Sequence, residues 1–310
     1  MVATFIPSQA AQPRRKIFTN QLDNAIRRGK YMEVWEPQSK PLITSYTATV
    51  PILPTAVQGQ LDTIVVPGAF GNNYIEMFQT TAQTLFPTPV ASSGWDFALD
   101  RVDNESVEYV PGGNLAGNPL GMLVGTDPGV FIKATFTVTD RSGTDQFLVG
   151  FRKQEAFAVP VSLLTTGDGI YVDFAGIGFS GTTSDLVKTM TDVGNAGSTT
   201  VTDTTFAWAD TKTHTLEVRV TKGGVVTYFI NGVLLGGSVT LDGLGAALTL
   251  QTTVAGAAYT FTNALQIIPW IFHRHDTTTP GAVTLRRLQV GQLASIGAGA
   301  GANAARGGQY

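Results

Sequence analysis

The chain has 310 residues, 43% of them apolar and only 14% charged, so it is long enough to bury a sizeable core and poor in the Glu and Lys that exposed helices need. It holds no cysteine, which excludes disulfides, thiolate nucleophiles and Cys-ligated metals. The net charge of −3 is uneven: residues 1–40 carry seven Lys and Arg against three Asp and Glu, a local +4 that leaves −7 for the rest.

Residues 1–60 read as an extended arm. Residues 1–16 hold Pro7 and Pro13 and no periodicity. A short helix is predicted near 19–28. Thr19 or Asn20 caps it, Leu22 and Ile26 share a face, Arg27 and Arg28 fall in the last turn where the helix dipole favours cations, and Gly29 ends it. Pro37, Pro41, Pro51, Pro54 and Pro67 break any long element and leave extended runs at 42–50 and 60–66. The first ten residues lack a charged segment followed by an apolar one, and no run approaches the roughly 18 apolar residues of a membrane span. The expectation is a protein made in a cytoplasm, with no membrane partner.

Residues 61–293 read as one β body. A second short helix is predicted near 73–83, a strand at 95–99 and a Gly/Pro loop at 111–119. From Val130 the pattern turns densely β. Residues 131–139 alternate, with Ile132, Ala134, Phe136 and Val138 on one face. A turn at 140–144 leads to a return strand at 146–152, and 169–175 is another strand. Residues 178–203 read as a Thr/Gly/Ser-rich excursion. In 215–221, Leu216, Val218 and Val220 alternate with Glu217, Arg219 and Thr221. Lys222-Gly223-Gly224 is a tight turn, 225–230 runs back, and Asn231-Gly232 is the strongest hairpin signal in the chain. Strands follow at 246–254, 258–261, 265–272 and 282–290. Residues 294–310 form a Gly/Ala-rich tail without side chains for a core: a plain terminus, or an arm that orders against a partner.

Trp208, then His214-Thr-Leu216, an alternating strand, a glycine turn and Tyr228-Phe-Ile-Asn231-Gly232 form a connected pattern. It resembles the concanavalin-A-like, laminin-G-like jelly-roll superfamily over residues 125–293. The resemblance implies an all-β antiparallel sandwich, here preceded by an extended N-terminal arm with a short helix. It also implies a structural role for His214 beside Trp208.

That superfamily includes glycoside hydrolases, which need two carboxylates flanking one sugar bond. The nearest pairs are Glu105 with Glu108 and Glu33 with Glu36. Three apart, Glu105 and Glu108 face opposite sides of a strand, and the other pair lies in the proline-rich arm. His273 and His275 have ligand-like spacing on a strand, without an identifiable third ligand, and read more simply as a polar strand end. Asp140 and Asp145 flank a turn and Asp168 and Asp173 a strand, too scattered for calcium. No glycine-rich stretch ends in Gly-Lys-Ser/Thr. The expectation is a protein that is not an enzyme, with no cofactor and no metal.

Two functions remain. Low charge, no cysteine, a basic arm, a β body and a small-residue tail are similar in style to bacteriophage virion proteins that carry a concanavalin-A-like domain. On this reading the chain is a capsid decoration, or cement, protein of the virion. Arg14, Arg15, Lys16, Arg27 and Arg28 of the arm dock on the major capsid protein. The partners are other virion proteins and copies of itself, a trimer being favoured, and not nucleic acid, because no aromatics interleave with the short basic run. The alternative is a lectin-like module binding a surface glycan, with Tyr171, Tyr228, Trp208 and Trp270 as candidate aromatic contacts. Core packing is the better expectation for Trp208 and Trp270.

Overall fold

In the computed structural model the described residues are five short strands before residue 97 and most of the chain from 106 to 293. Within that second stretch 115–117, 119, 142–145, 156–170, 181–184, 194–198, 237, 241–249, 253–254 and 275–282 are left undescribed. The early strands are β1 (Met32–Trp35), β2 (Leu61–Ile64), β3 (Ile75–Gln79), β4 (Thr88–Val90) and β5 (Gly94–Asp96). Next come β6 (Ser106–Pro111), β7 (Met122–Leu123), β8 (Val130–Val138), β9 (Gln146–Lys153), β10 (Asp173–Ser180), β11 (Leu186–Val193) and β12 (Thr200–Ala207). The rest are β13 (Thr213–Val220), β14 (Val226–Ile230), β15 (Val233–Leu234), β16 (Ser238–Thr240), β17 (Leu250–Thr252), β18 (Gln266–Arg274) and β19 (Val283–Gln292). Among the described residues there is no helix.

Two antiparallel sheets pack face to face. One has eight strands in the order β15-β14-β13-β8-β19-β5-β4, with β1 also on β19. The other has nine, β12-β11-β10-β9-β18-β6-β3-β2, with β7 on β18. The chain changes sheet between β8 and β9, between β12 and β13, and between β18 and β19. β8 and β19 are neighbours in one sheet and β9 and β18 in the other, so both crossings run side by side, as in a jelly roll. The expected sandwich is the observed one.

The core follows from alternation. Ile132, Ala134, Phe136 and Val138 of β8 face inward and are completely buried, as predicted. Leu216, Val218 and Val220 of β13 join them, with Phe147, Val149 and Phe151 of β9 opposite. Phe136 and Phe147 meet edge to face at 4.5 Å across the two sheets. Burying each such side chain is worth about 1.5–3 kcal/mol before entropy is subtracted. The turn from β14 to β15 has Asn231 at φ 51° and Gly232 at φ 81°, the left-handed pair that a two-residue hairpin requires.

Four readings need correction. Residues 75–79, expected in a helix, are β3, hydrogen-bonded between β2 and β6; Ile-Glu-Met-Phe-Gln fits a strand as well as a helical turn, and tertiary pairing decides. The strand expected at 169–175 is β10, which starts at Asp173 and runs on to Ser180. The presumed excursion 178–203 contains β11 and the first half of β12. Residues 258–261 make one bridge, Thr260 to Val225, and lie along β14 with Tyr259 and Phe261 in the core. The predicted helix 19–28, the run 42–50 and the tail 294–310 lie outside the described residues. β1, within the predicted arm, pairs with β19 from Met32–Gly291 to Trp35–Leu288.

Candidate functional site

The nine-stranded sheet carries a second core on the face turned away from the first. Leu148, Tyr171, Phe174, Met190, Trp270 and Phe272 are all buried there. β9, β10 and β18 therefore read as nearly continuous burial instead of alternation. Gly150 and Gly176 lie in register with Trp270 and Met190. A Cβ at Gly150 would strike the carbonyl of Ala175, and one at Gly176 would strike Leu148. Trp270 meets Phe174 at 5.4 Å and Tyr171 at 5.7 Å, both edge to face.

An ion pair sits inside this layer. Arg152 and Glu108 are both completely buried and bonded through Nη2 and Oε1, with Arg152 Nε donating to the same oxygen at 3.2 Å. The Tyr171 hydroxyl donates to Glu108 Oε2 at 2.7 Å, and Arg152 lies 4.4 Å over the Tyr171 ring. Arg152 Nη1 also donates to the Lys153 carbonyl at 2.8 Å. Burial works against the guanidinium charge, but the Glu108 carboxylate and its hydrogen bond more than offset that, and the Arg152 pKa is raised overall. Nearby Glu155 is half-buried; desolvation raises its pKa although it accepts the Val172 N–H. Glu108 thus has both oxygens engaged by fixed donors and no route to solvent. It is the counter-ion of Arg152 inside this layer.

The Trp208–His214 pair forms a second polar-aromatic cluster. The His214 ring stands edge to face on Trp208 at 4.7 Å and on Phe206 at 5.0 Å. Trp208 Nε1 donates to the Lys212 carbonyl, and Phe179 packs on the indole with Arg141 stacked 4.0 Å above Phe179. His214 Nδ1 lies 2.9 Å from Asn231 Nδ2, and Asn231 Oδ1 accepts the Thr215 N–H. In the neutral ring Nδ1 is therefore the acceptor. Burial lowers the His214 pKa, Lys212 adds to the shift, and the Asn231 bond opposes it. This imidazole ties the β14–β15 turn to the start of β13.

The outer face of the eight-stranded sheet is wetter. Threonine hydroxyls bridge strands there, Thr135 to Thr215 at 2.9 Å and Thr137 to Thr213 at 2.7 Å. Glu217 is buried between Arg219 and Lys133, and Arg219 also lies 4.1 Å over Phe229.

The predicted site residues fare differently. Arg14, Arg15, Lys16, Arg27 and Arg28 lie outside the described residues, as do Glu105, Asp145, Asp168 and His275. The four candidate sugar-stacking aromatics are all interior: Trp208 and Trp270 as expected, Tyr171 and Tyr228 against the lectin alternative. His273 stands next to last in β18, at the strand end as read, and is buried near Phe147, at 6.4 Å. Among the described residues no three His, Asp or Glu gather into a metal-holding group. Sequence reasoning missed Arg152, whose partner is 44 residues away and so leaves no local signal.

No family model and no curated protein matches the chain. Remote likenesses exist among solved structures. A protein of unknown function from Shewanella oneidensis MR-1 aligns at 11% identity and a TM-score of 0.41, covering 94% of this chain and 96% of that one. Alginate lyase from Pseudomonas aeruginosa aligns at 9% and 0.37, over 60% of this chain and 73% of the other. A structure of botulinum neurotoxin type C, whose cell entry depends on two ganglioside molecules, aligns at 11% and 0.40. That match covers 73% of this chain but only 44% of the toxin chain. Likenesses this remote carry no argument about chemistry.

Proposed function

We propose that this chain is a non-enzymatic structural component of a virion, a capsid decoration protein that docks on the major capsid shell through its N-terminal segment and stabilises the head. One observation supports the non-enzymatic part: among the described residues, three interior ionisable groups of the sandwich are held by fixed partners. Glu108 is held by Arg152 and Tyr171, His214 by Trp208 and Asn231, and Glu217 by Arg219 and Lys133. The basic N-terminal stretch on an otherwise acidic chain favours association with an acidic shell. Docking of many copies, each favoured only on the assembled shell, stabilises the head by mass action, and self-association into a trimer multiplies that effect. The place of action is the virion, after synthesis in the host cytoplasm.

The test is charge removal in the full chain. Replacing Arg14, Arg15, Lys16, Arg27 and Arg28 by Gln should abolish co-sedimentation with capsids while leaving the thermal unfolding transition in place. Retained decoration would sink the docking role. Deleting residues 1–40 is a poorer test, because it would also strip β1 from β19.

A further inference from the structure

The edge of a sheet is a row of unpaired N–H and C=O groups, and proteins guard it with shortness, proline, charge or a bulge. Among the described strands the two large sheets end on β15, β4, β2 and β12. β15 has two residues, β4 has three and includes Pro89, and β2 has four. β12 has eight. It pairs with β11 alone, and β17 belongs to a separate two-stranded sheet.

The two halves of β12 differ. Between the pairs Lys188–Asp203 and Leu186–Ala207, β11 advances two residues and β12 four, and Thr205 sits at φ 63° inside that bulge. A bulge bends the strand and ends regular pairing. The half before it, Thr200–Asp203, is in unbroken register with β11. It has no proline and no lysine, and its one charge, Asp203, lies 3.4 Å from Lys188 of the neighbouring strand. Thr200, Val201 and Asp203 are exposed. Threonine and valine are residues that strands favour.

An apolar row of the second core runs out at this edge. Trp270, Gly150, Gly176, Met190 and Val201 stand in register across β18, β9, β10, β11 and β12. Trp270 and Met190 are completely buried, whereas Val201, at the end of the row, is 38% exposed.

We infer that Thr200–Asp203 pairs with the same segment of a second copy of this chain, antiparallel, so that the nine-stranded sheet continues across a twofold axis. An axis perpendicular to an antiparallel sheet sets one residue opposite its own copy. The side chains select which one. Asp203 at the axis brings two carboxylates together, and Thr202 at the axis sets Val201 against Asp203. Thr200 at the axis leaves the other three residues opposite positions outside the segment. Val201 at the axis sets valine beside valine and Thr200 beside Thr202, and keeps the two Asp203 carboxylates roughly 13 Å apart along the strands. The dry row then runs on from Met190 and Val201 into their counterparts in the second copy. So short a pairing buries less than the ~1,600 Å² of a standard interface, so association is weak and concentration-dependent. The contact rests on β12 and not on capsid docking. Being twofold, it joins two monomers, or two trimers into a hexamer.

The experiment is sedimentation velocity of the full chain, without capsids, from about 1 μM to about 100 μM. A shift with concentration from monomer to dimer, or from trimer to hexamer, is expected. Val201→Lys sets like charges face to face at an exposed position and should weaken the association tenfold or more. The chain has no cysteine, so Val201→Cys reports the register directly. Mild oxidation should join two copies by a disulfide, because residues facing each other across antiparallel strands have Cβ atoms about 4.5–5.5 Å apart. Val225→Cys, also exposed but away from β12, should not cross-link. A chain that stays monomeric or trimeric throughout overturns the pairing and leaves the edge to another occupant, such as an extended segment of a different protein. Open-ended filaments overturn it too, as does unchanged association of a folded Val201→Lys variant. Cross-linking no faster at Val201→Cys than at Val225→Cys overturns it even if the lysine variant fails to fold.

Discussion

The two sheets solve the same problem in opposite ways. The eight-stranded sheet buries one face and leaves the other wetter, so β14 alternates between buried and half-buried throughout and β8 does so from Val130 to Phe136. The nine-stranded sheet is dry on both sides at its centre, where β9, β10 and β18 are buried almost throughout. On the wet face charges are shared and partly hydrated. On the dry face the fully buried pair Arg152–Glu108 must satisfy itself with Tyr171 and backbone carbonyls. The same residue types therefore carry very different stakes in the two places.

The sharpest way to break this contrast is Glu108→Ala. It strands a buried guanidinium and should cost about 3–5 kcal/mol in urea unfolding. Its counterpart, Arg219→Ala, leaves Glu217 still beside Lys133 at 3.6 Å and should cost under about 1 kcal/mol. Equal losses would mean that the two faces are not different environments. Next in size is Gly178→Ala in β10, whose new methyl would strike the Phe147 carbonyl; about 1–3 kcal/mol is expected, whereas Thr135→Val on the wet face should be nearly silent in thermal melts.

Acid should act through His214. Folding lowers its pKa from the ordinary 6.5, so the folded state holds that proton less tightly than the unfolded one. Its stabilising contribution is fully present above pH 6.5 and is lost as pH falls below that value toward the folded pKa. Chemical denaturation between pH 7.5 and about 5 should show this decline, and His214→Gln should flatten it. The smallest effect is a gain. Thr205 in β12 sits at φ 63°, a conformation that β-branched residues adopt only under strain. Thr205→Gly should stabilise by up to about 1 kcal/mol; a loss would mean that the Thr205 hydroxyl bond to the Thr204 carbonyl outweighs the strain.

The same contrast explains what could be read from residues alone. β8, β13, β14 and the Asn231-Gly232 turn were legible because a wet face prints a period of two. β11 was not: Val187, Thr189 and Thr191 face inward while Met190 faces the second core, so apolar residues are split between sides and threonines stand where a core is expected. Gly176 and Gly178 make β10 look like a loop for the same reason. Trp208 and His214 were close enough in sequence to be paired by pattern. Glu108 with Arg152 depends on register between distant strands.

β19 has one more consequence, in time. It runs through the middle of its sheet, with β8, β5 and β1 all hydrogen-bonded to it, and the pairing Met32–Gly291 spans almost the whole described chain. On a ribosome, β1, β5 and β8 emerge long before their common partner exists. The eight-stranded sheet is complete only when residues 283–292 arrive, so β1, β5 and β8 each wait with an unpaired edge until late in synthesis. Such non-local topology folds slowly, and a nascent chain stalled before Val283 would be a ready template for aggregation.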